Sequence, residues 1–142
     1  MLPVTIQSFC ETTSVDLTAI RATLLAHLWQ SRKPAKAYDM IDVLREKGIG
    51  APKPATVYRT LEYLAGFGLV HKVYSLNAYV PCHHPGKHQG CQFLICDHCE
   101  SAQELCDADL RQSIPDKARA LGFEPRSSIV EVYGTCSACQ KA

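Results

Sequence analysis

Two Cys-x-x-Cys pairs constrain this chain more than any other feature in it. Cys96 and Cys99 follow the apolar run Phe93-Leu94-Ile95, and Cys136 and Cys139 follow Ile129-Val130-Glu131-Val132-Tyr133. A two-residue spacer lets a tight turn aim both sulfurs of a pair at one ion. Two such pairs supply the four thiolates of a tetrahedral structural zinc. The pairs are separated by 36 residues, against about 15–20 in a plain zinc ribbon, so an element such as a helix has to fit between them. Two disulfides would require an oxidising compartment, and a redox-active pair would account for only one of the two motifs. The spacing predicts one structural zinc on Cys96, Cys99, Cys136 and Cys139.

The length of 142 residues suits one ordinary domain, or two small ones that need a cross-link to stay folded. With 46% hydrophobic and 20% charged residues the composition is that of a globular chain. No apolar run approaches the ~20 residues of a membrane span. The opening Met1-Leu2-Pro3-Val4-Thr5-Ile6 lacks the basic start and long apolar run of a signal peptide. Eight cysteines without an export signal predict reduced thiols, metal and a cytoplasmic location. The net charge of +1 is unevenly spread: residues 1–80 hold nine Lys and Arg against six Asp and Glu, and residues 81–142 hold six against eight. A basic first half permits nucleic-acid binding without proving it.

Residues 1–14 are polar and irregular and read as a loose arm. Helical periodicity starts near Val15, with Leu17, Ile20, Leu24, Leu25 and Leu28 on one face and Ser14 or Asp16 as the cap, and Pro34 ends the segment. A second helix is expected over about residues 37–47 and a third over about residues 55–65, burying Val57, Leu61 and Leu64. Residues 69–74 and 78–80 alternate as two strands joined by Ser75-Leu76-Asn77. Three helices followed by a hairpin describe a winged helix-turn-helix, whose third helix enters the DNA major groove. Thr56, Tyr58, Arg59 and Thr60, the non-core positions of that helix, suit base edges and phosphates. Arg32, Lys33, Lys36, Lys53 and Lys72 add sequence-independent phosphate attraction.

Beyond it the pattern reads strand, knuckle, strand near residues 102–105, helix over about residues 107–121, and a last strand over residues 128–133. Pro115 is expected to interrupt that helix early or to mark its true first turn. The fold class is therefore α+β: an N-terminal winged helix-turn-helix domain (1–80), a hinge (81–91) and a small α/β dimerisation domain carrying the four-cysteine zinc site (92–142). An apolar edge strand in the last of these invites pairing with a second copy.

The hinge carries Cys82, His83, His84 and His88 within seven positions, with His71 on the hairpin and Glu104 just past the first knuckle. Mixed thiolate, imidazole and carboxylate donors suit zinc, whereas iron or manganese sites use fewer thiolates. Ligands drawn from two domains would fix their relative placement only with metal bound, which is a switch. Cys10, Cys91 and Cys106 read as small apolar residues, with Cys91 a reserve ligand.

Together these residues resemble the Fur family of bacterial metal-dependent repressors, most closely its zinc-sensing branch. The resemblance is carried by Ala55-Thr56-Val57-Tyr58-Arg59-Thr60-Leu61, by Leu94-Ile95-Cys96-Asp97-His98-Cys99, by Tyr38-Asp39, by Val70-His71-Lys72-Val73 and by the terminal cysteine pair. It implies a homodimer with two zinc ions per chain: the structural ion and a regulatory ion on His71, Cys82, His88 and Glu104. His83 or His84 stand ready to replace His88, because the interval from Cys82 to Cys96 aligns with the family only through a gap. It further implies that Tyr38 and Arg59 touch operator bases, that the zinc-loaded dimer binds AT-rich palindromes, and that it represses zinc-uptake genes. A departure stands at Leu17-Thr18-Ala19-Ile20-Arg21, where the family usually has Leu-Thr-Pro-Gln-Arg. The partners expected are double-stranded DNA and a second copy of the chain, with no membrane and no small organic substrate. The rival readings are an iron- or other metal-sensing regulator of the same family, a thiol- or metal-based enzyme, and a zinc-stabilised interaction module. An enzyme needs an open metal position and a substrate cleft, for which so short a chain leaves little room.

Overall fold

The computed structural model describes residues 2–31, 33–50, 52–86 and 92–141. Arg32, His88 and Cys91 lie outside the described residues. The chain divides into two compact units, residues 1–86 and 87–142. Among the described residues, no helix is long and apolar enough to cross a membrane.

The first unit is built from helices α1 (Val4–Thr12), α2 (Ala19–Gln30), α3 (Ala37–Glu46) and α4 (Pro54–Gly66), with strands β1 (Ala35–Lys36), β2 (Val70–Val73) and β3 (Ala78–Pro81). The core is one cluster of leucines and other aliphatics: Leu24, Leu25 and Leu28 from α2, Met40, Ile41 and Leu44 from α3, and Val57, Leu61 and Leu64 from α4. Helix α2 starts at Ala19, later than the periodicity suggests, because Thr18 rather than Ser14 or Asp16 caps it, its side chain accepting from the Arg21 N–H at 3.4 Å. Helix α4 opens on Pro54, whose restricted φ is pre-set for a first helical turn. Helices α3 and α4 both end on a glycine in the left-handed region, Gly48 at φ +71° and Gly68 at φ +72°. In each case the next residue's N–H reaches back to a helix carbonyl, Ile49 to Leu44 and Leu69 to Leu64, both at 3.0 Å. This closure needs a residue without the Cβ penalty.

Strands β2 and β3 form the expected hairpin, with His71 opposite Val80 and Lys72 opposite Tyr79. Its turn is a short 3₁₀ segment, Tyr74–Leu76, closed by Asn77 at φ +48°. The two-residue β1 adds to the free side of β3, giving the order β1-β3-β2.

The loose arm expected over residues 1–14 is instead largely helix α1. Ile6 is 1% exposed and Cys10 4% exposed, and both join the core of α2 to α4. Burial pushes the Cys10 thiol up and keeps it protonated, as befits a small apolar side chain. The buried stripe is only one turn long and is surrounded by Gln7, Ser8, Glu11 and Thr12, so periodicity alone is too short to reveal it.

The second unit is a three-stranded mixed sheet with order β5-β4-β6, made from β4 (Gln92–Cys96), β5 (Ala102–Leu105) and β6 (Val130–Gly134). The central β4 runs antiparallel to β5 and parallel to β6, and α5 (Ala108–Ala120) lies between β5 and β6 in the chain. Pro115 neither interrupts nor begins α5. The start is set by Asp107, whose side chain accepts from the N–H groups of Asp109 (2.9 Å) and Leu110 (3.1 Å), and Pro115 sits inside the helix. A short α6 (Ser137–Gln140) carries the last knuckle.

Removing side-chain volume from α1 tests its membership of the core. Ile6→Ala is expected to destabilise the first unit by ~2–4 kcal/mol in urea unfolding followed by circular dichroism. A change below ~0.5 kcal/mol would mean that the segment is a surface appendage.

Candidate metal centre and nucleic-acid interface

Parallel pairing of β4 and β6 builds the first candidate centre. Cys96 lies opposite Gly134, two residues before Cys136, and the Asp97 N–H donates to the Gly134 carbonyl at 2.8 Å. Both knuckles therefore leave the sheet at the same end. Antiparallel pairing over five residues would put them at opposite ends, roughly 16 Å apart at about 3.3 Å per residue. The sulfurs of Cys96, Cys99, Cys136 and Cys139 all lie within 4.8 Å of one another, and Cys99 Sγ is 3.8 Å from Cys136 Sγ. Zn–S bonds of about 2.3 Å in a tetrahedron require sulfurs about 3.8 Å apart. The donor set fits zinc. Every described cysteine is a free thiol, so the geometry owes nothing to disulfides.

Local electrostatics agree with metal ligation. The Cys96 thiol is brought down to about 6 by the backbone N–H of Cys136, 3.4 Å from its sulfur, and by those of Cys99 and His98. Cys99 is also lowered, chiefly by Ser101, whose Oγ lies 3.1 Å away. Cys139 is pushed up to about 12 by the neighbouring sulfurs of Cys136 and Cys96. Negative charge gathered on the first sulfurs thus holds the last one protonated. A divalent cation removes that conflict and lets all four ligate as thiolates. Sequence reading did not single out Ser101; its position two residues past Cys99 is the only signal it offers.

Of the ligands expected for a second ion, two stand together in the first unit. His71 is on β2, and Cys82 directly follows β3, tied back by its N–H to the Leu69 carbonyl at 2.9 Å. A His71 ring nitrogen lies within 4.8 Å of the buried Cys82 sulfur. That sulfur accepts from the His84 N–H at 3.4 Å. The His83 ring lies against Trp29. Glu104 is on β5 of the second unit, paired with Phe93. His88 falls outside the described residues.

The expected DNA-facing residues divide by burial. Arg59 and Lys53 are exposed on and just before α4, and Tyr38 is 74% exposed near the start of α3. Thr56 is half-buried at the first turn of α4. On the wing, the Lys72 ammonium lies 5.0 Å over the Tyr74 ring. Thr60 departs from expectation: it is 8% exposed and its hydroxyl donates to the Thr56 carbonyl at 2.8 Å, so it faces the core. Tyr58 is half-buried and packs against that core. Helical phase explains both, since positions 57, 60, 61 and 64 form the buried stripe.

The family model for the ferric uptake regulator family matches residues 12–133. The chain belongs to that family. This Fur-family chain is 37% identical over 135 residues to the zinc uptake regulation protein of Escherichia coli K12, covering 94% of itself and 78% of that relative. Among solved structures, the crystal structure of holo XcZur matches with a TM-score of 0.87 and 43% identity, over 97% of this chain and 96% of that one. A zinc uptake regulator complexed with zinc and DNA matches with a TM-score of 0.88 and 34% identity, over 96% and 91% respectively. Both likenesses carry the mixed helix-and-strand fold, and with the four-sulfur cluster they support zinc as this Fur-family chain's cofactor.

Substituting one cluster sulfur tests its assignment. Cys96→Ser is expected to lower the zinc content by one ion per chain in elemental analysis and to cost the second unit its cooperative unfolding transition. Full zinc content in a stable variant would contradict the centre.

Proposed function

We propose that this Fur-family chain is a zinc-responsive transcriptional repressor, and not an enzyme, acting as a homodimer with two zinc ions per chain. The structural ion sits on Cys96, Cys99, Cys136 and Cys139. The regulatory ion takes His71 and Cys82 from the first unit, Glu104 from the second, and His88 from the connector. The observation that carries this reading is the placement of His71 beside Cys82 on the wing sheet, in the unit that holds the recognition helix. A thiolate among the donors favours zinc over iron or manganese. Zinc taken up by ligands of both units selects the arrangement in which two recognition helices match a two-fold operator. The coupling expected is of order 1–3 kcal/mol, or ~5–150-fold in DNA affinity.

On the DNA side, Arg59 and Tyr38 reach base edges, while Lys53, Lys72 and Thr56 serve phosphates. Tyr58 supports the helix from beneath. AT-rich palindromes upstream of zinc-uptake genes are the expected targets, and the cytoplasm, which keeps cysteines reduced, is the location this reading calls for.

Dimer formation is supported by the second unit's surface. Leu105, Leu110, Ile114, Phe123, Ile129, Val132 and Tyr133 are each at least 36% exposed, whereas no residue of α5 is buried. A unit with so little core of its own gains most of its apolar burial from a partner, and a stable interface needs about 800 Å² from each copy.

The test is fluorescence anisotropy on operator DNA with and without zinc, alongside sedimentation. Wild type is expected to sediment as a dimer and to gain DNA affinity with zinc, whereas Cys82→Ser remains a dimer and loses that gain. An unaltered zinc response in Cys82→Ser would overturn the regulatory assignment, and a monomer at micromolar concentration would overturn the dimer.

A further inference from the structure

Cys82 is followed by four residues, His83 to Gly86, that leave the wing sheet yet belong to the first unit. Two aromatic contacts seat this segment. The His83 ring meets the edge of Trp29 on α2, centroids 4.9 Å apart and planes at 66°. Gly86, at φ +78°, lies so close to Phe9 of α1 that a Cβ added there would stand 2.8 Å from the ring's Cε2. Side chains do not occupy such a distance, and L-residues rarely adopt that φ, so glycine is required twice over. The near side of the segment is tethered independently, by the Cys82 N–H to the Leu69 carbonyl at 2.9 Å. Cys82 thus sits between a strand-side tether and an aromatic seat.

The contacts are out of proportion to a mere linker. Helix α1 contributes Ile6 and Cys10 fully to the core, while Phe9 packs against that core only in part and offers its ring edge to Gly86. Trp29 is half-buried, and its indole N–H, also buried, has no hydrogen-bond partner among the described residues, so packing alone holds the ring. Tethering a ligand's own backbone and seating the residues that follow it removes rotamer and backbone freedom that metal binding would otherwise have to remove.

We infer that Phe9 and Trp29 are positioning residues for the regulatory zinc: by seating Gly86 and His83 they hold Cys82 beside His71 before metal arrives. This rests on the proposed second ion. It also gives α1 a task in sensing, and gives His83 a role as a ring that is held rather than as a zinc ligand.

The experiment is a zinc competition titration of the full-length protein against a fluorescent chelator, resolving the second equivalent, with the emission of Trp29 followed in parallel as the chain's single tryptophan. His83→Ala is expected to weaken the second equivalent about tenfold, the low end for loss of a ligand-orienting contact, and to shift Trp29 emission in the metal-free protein. His83→Phe keeps a ring on Trp29 without a donor nitrogen and is expected to restore the affinity. Gly86→Ala should reproduce the loss, with the first equivalent unchanged in all three variants. If His83→Phe weakens binding as much as His83→Ala, His83 is a ligand and the positioning role is overturned. If neither variant weakens it, the seat has no bearing on zinc and the inference fails. Cys82→Ser run beside them separates the two levels: full affinity of the second equivalent in that variant sinks the regulatory site itself, whatever the His83 series shows.

Discussion

The parallel pairing of β4 with β6 is the constraint on which the second unit depends. With Cys96 opposite Gly134, both cysteine pairs emerge from one end of the sheet and four sulfurs converge. Convergence without a cation is unfavourable, because the neighbouring sulfurs of Cys136 and Cys96 raise the cost of ionising Cys139, which accordingly stays protonated. Fold and metal therefore support each other: the sheet gathers the thiols, and a dication makes the gathering stable. The fully buried side chains of that unit are few, with Phe93, Ile95 and Cys96 chief among them. A metal cross-link substitutes for a core that so short a segment cannot supply.

The first unit follows the opposite logic. Its core is built from twelve large side chains that, among the described residues, are essentially removed from solvent, nearly all of them aliphatic. Such a body needs no metal to bury its core, which suits the proposed task of presenting Arg59 and Tyr38 to DNA. His71 lies on β2 and Cys82 directly follows β3, so the proposed regulatory ion would act on the same packed body that carries α4.

Much of the architecture was legible because it rests on local signals. Leu24, Leu25 and Leu28, or Val57, Leu61 and Leu64, mark helix faces by spacing alone. The two Cys-x-x-Cys motifs declare a metal site without any structure. Other features escaped for physical reasons. Helix α1 is held by one turn of burial, Ile6 to Cys10, which is too little periodicity to distinguish from a polar arm. The cap at Thr18 prevailed over Ser14 and Asp16 because a hydrogen bond to the Arg21 N–H, not composition, decides where a helix begins. Thr60 looked like a contact residue by its chemistry, but helical phase turns it inward, where its hydroxyl bonds to Thr56.

What residue order determined by itself is the inventory: an aliphatic three-helix body with a hairpin, four thiols in two tight turns, and a histidine- and cysteine-rich connector. These follow from spacing, which is written in one dimension. Only the tertiary structure decided that β6 runs parallel to β4, that four sulfurs gather within 4.8 Å of one another, that His71 stands beside Cys82, and that Phe9 and Trp29 seat the residues after it. Those facts depend on which strand pairs with which and on where rings pack across long sequence separations. No local pattern encodes them, because each is settled by competition among contacts that exist only once the chain has closed on itself.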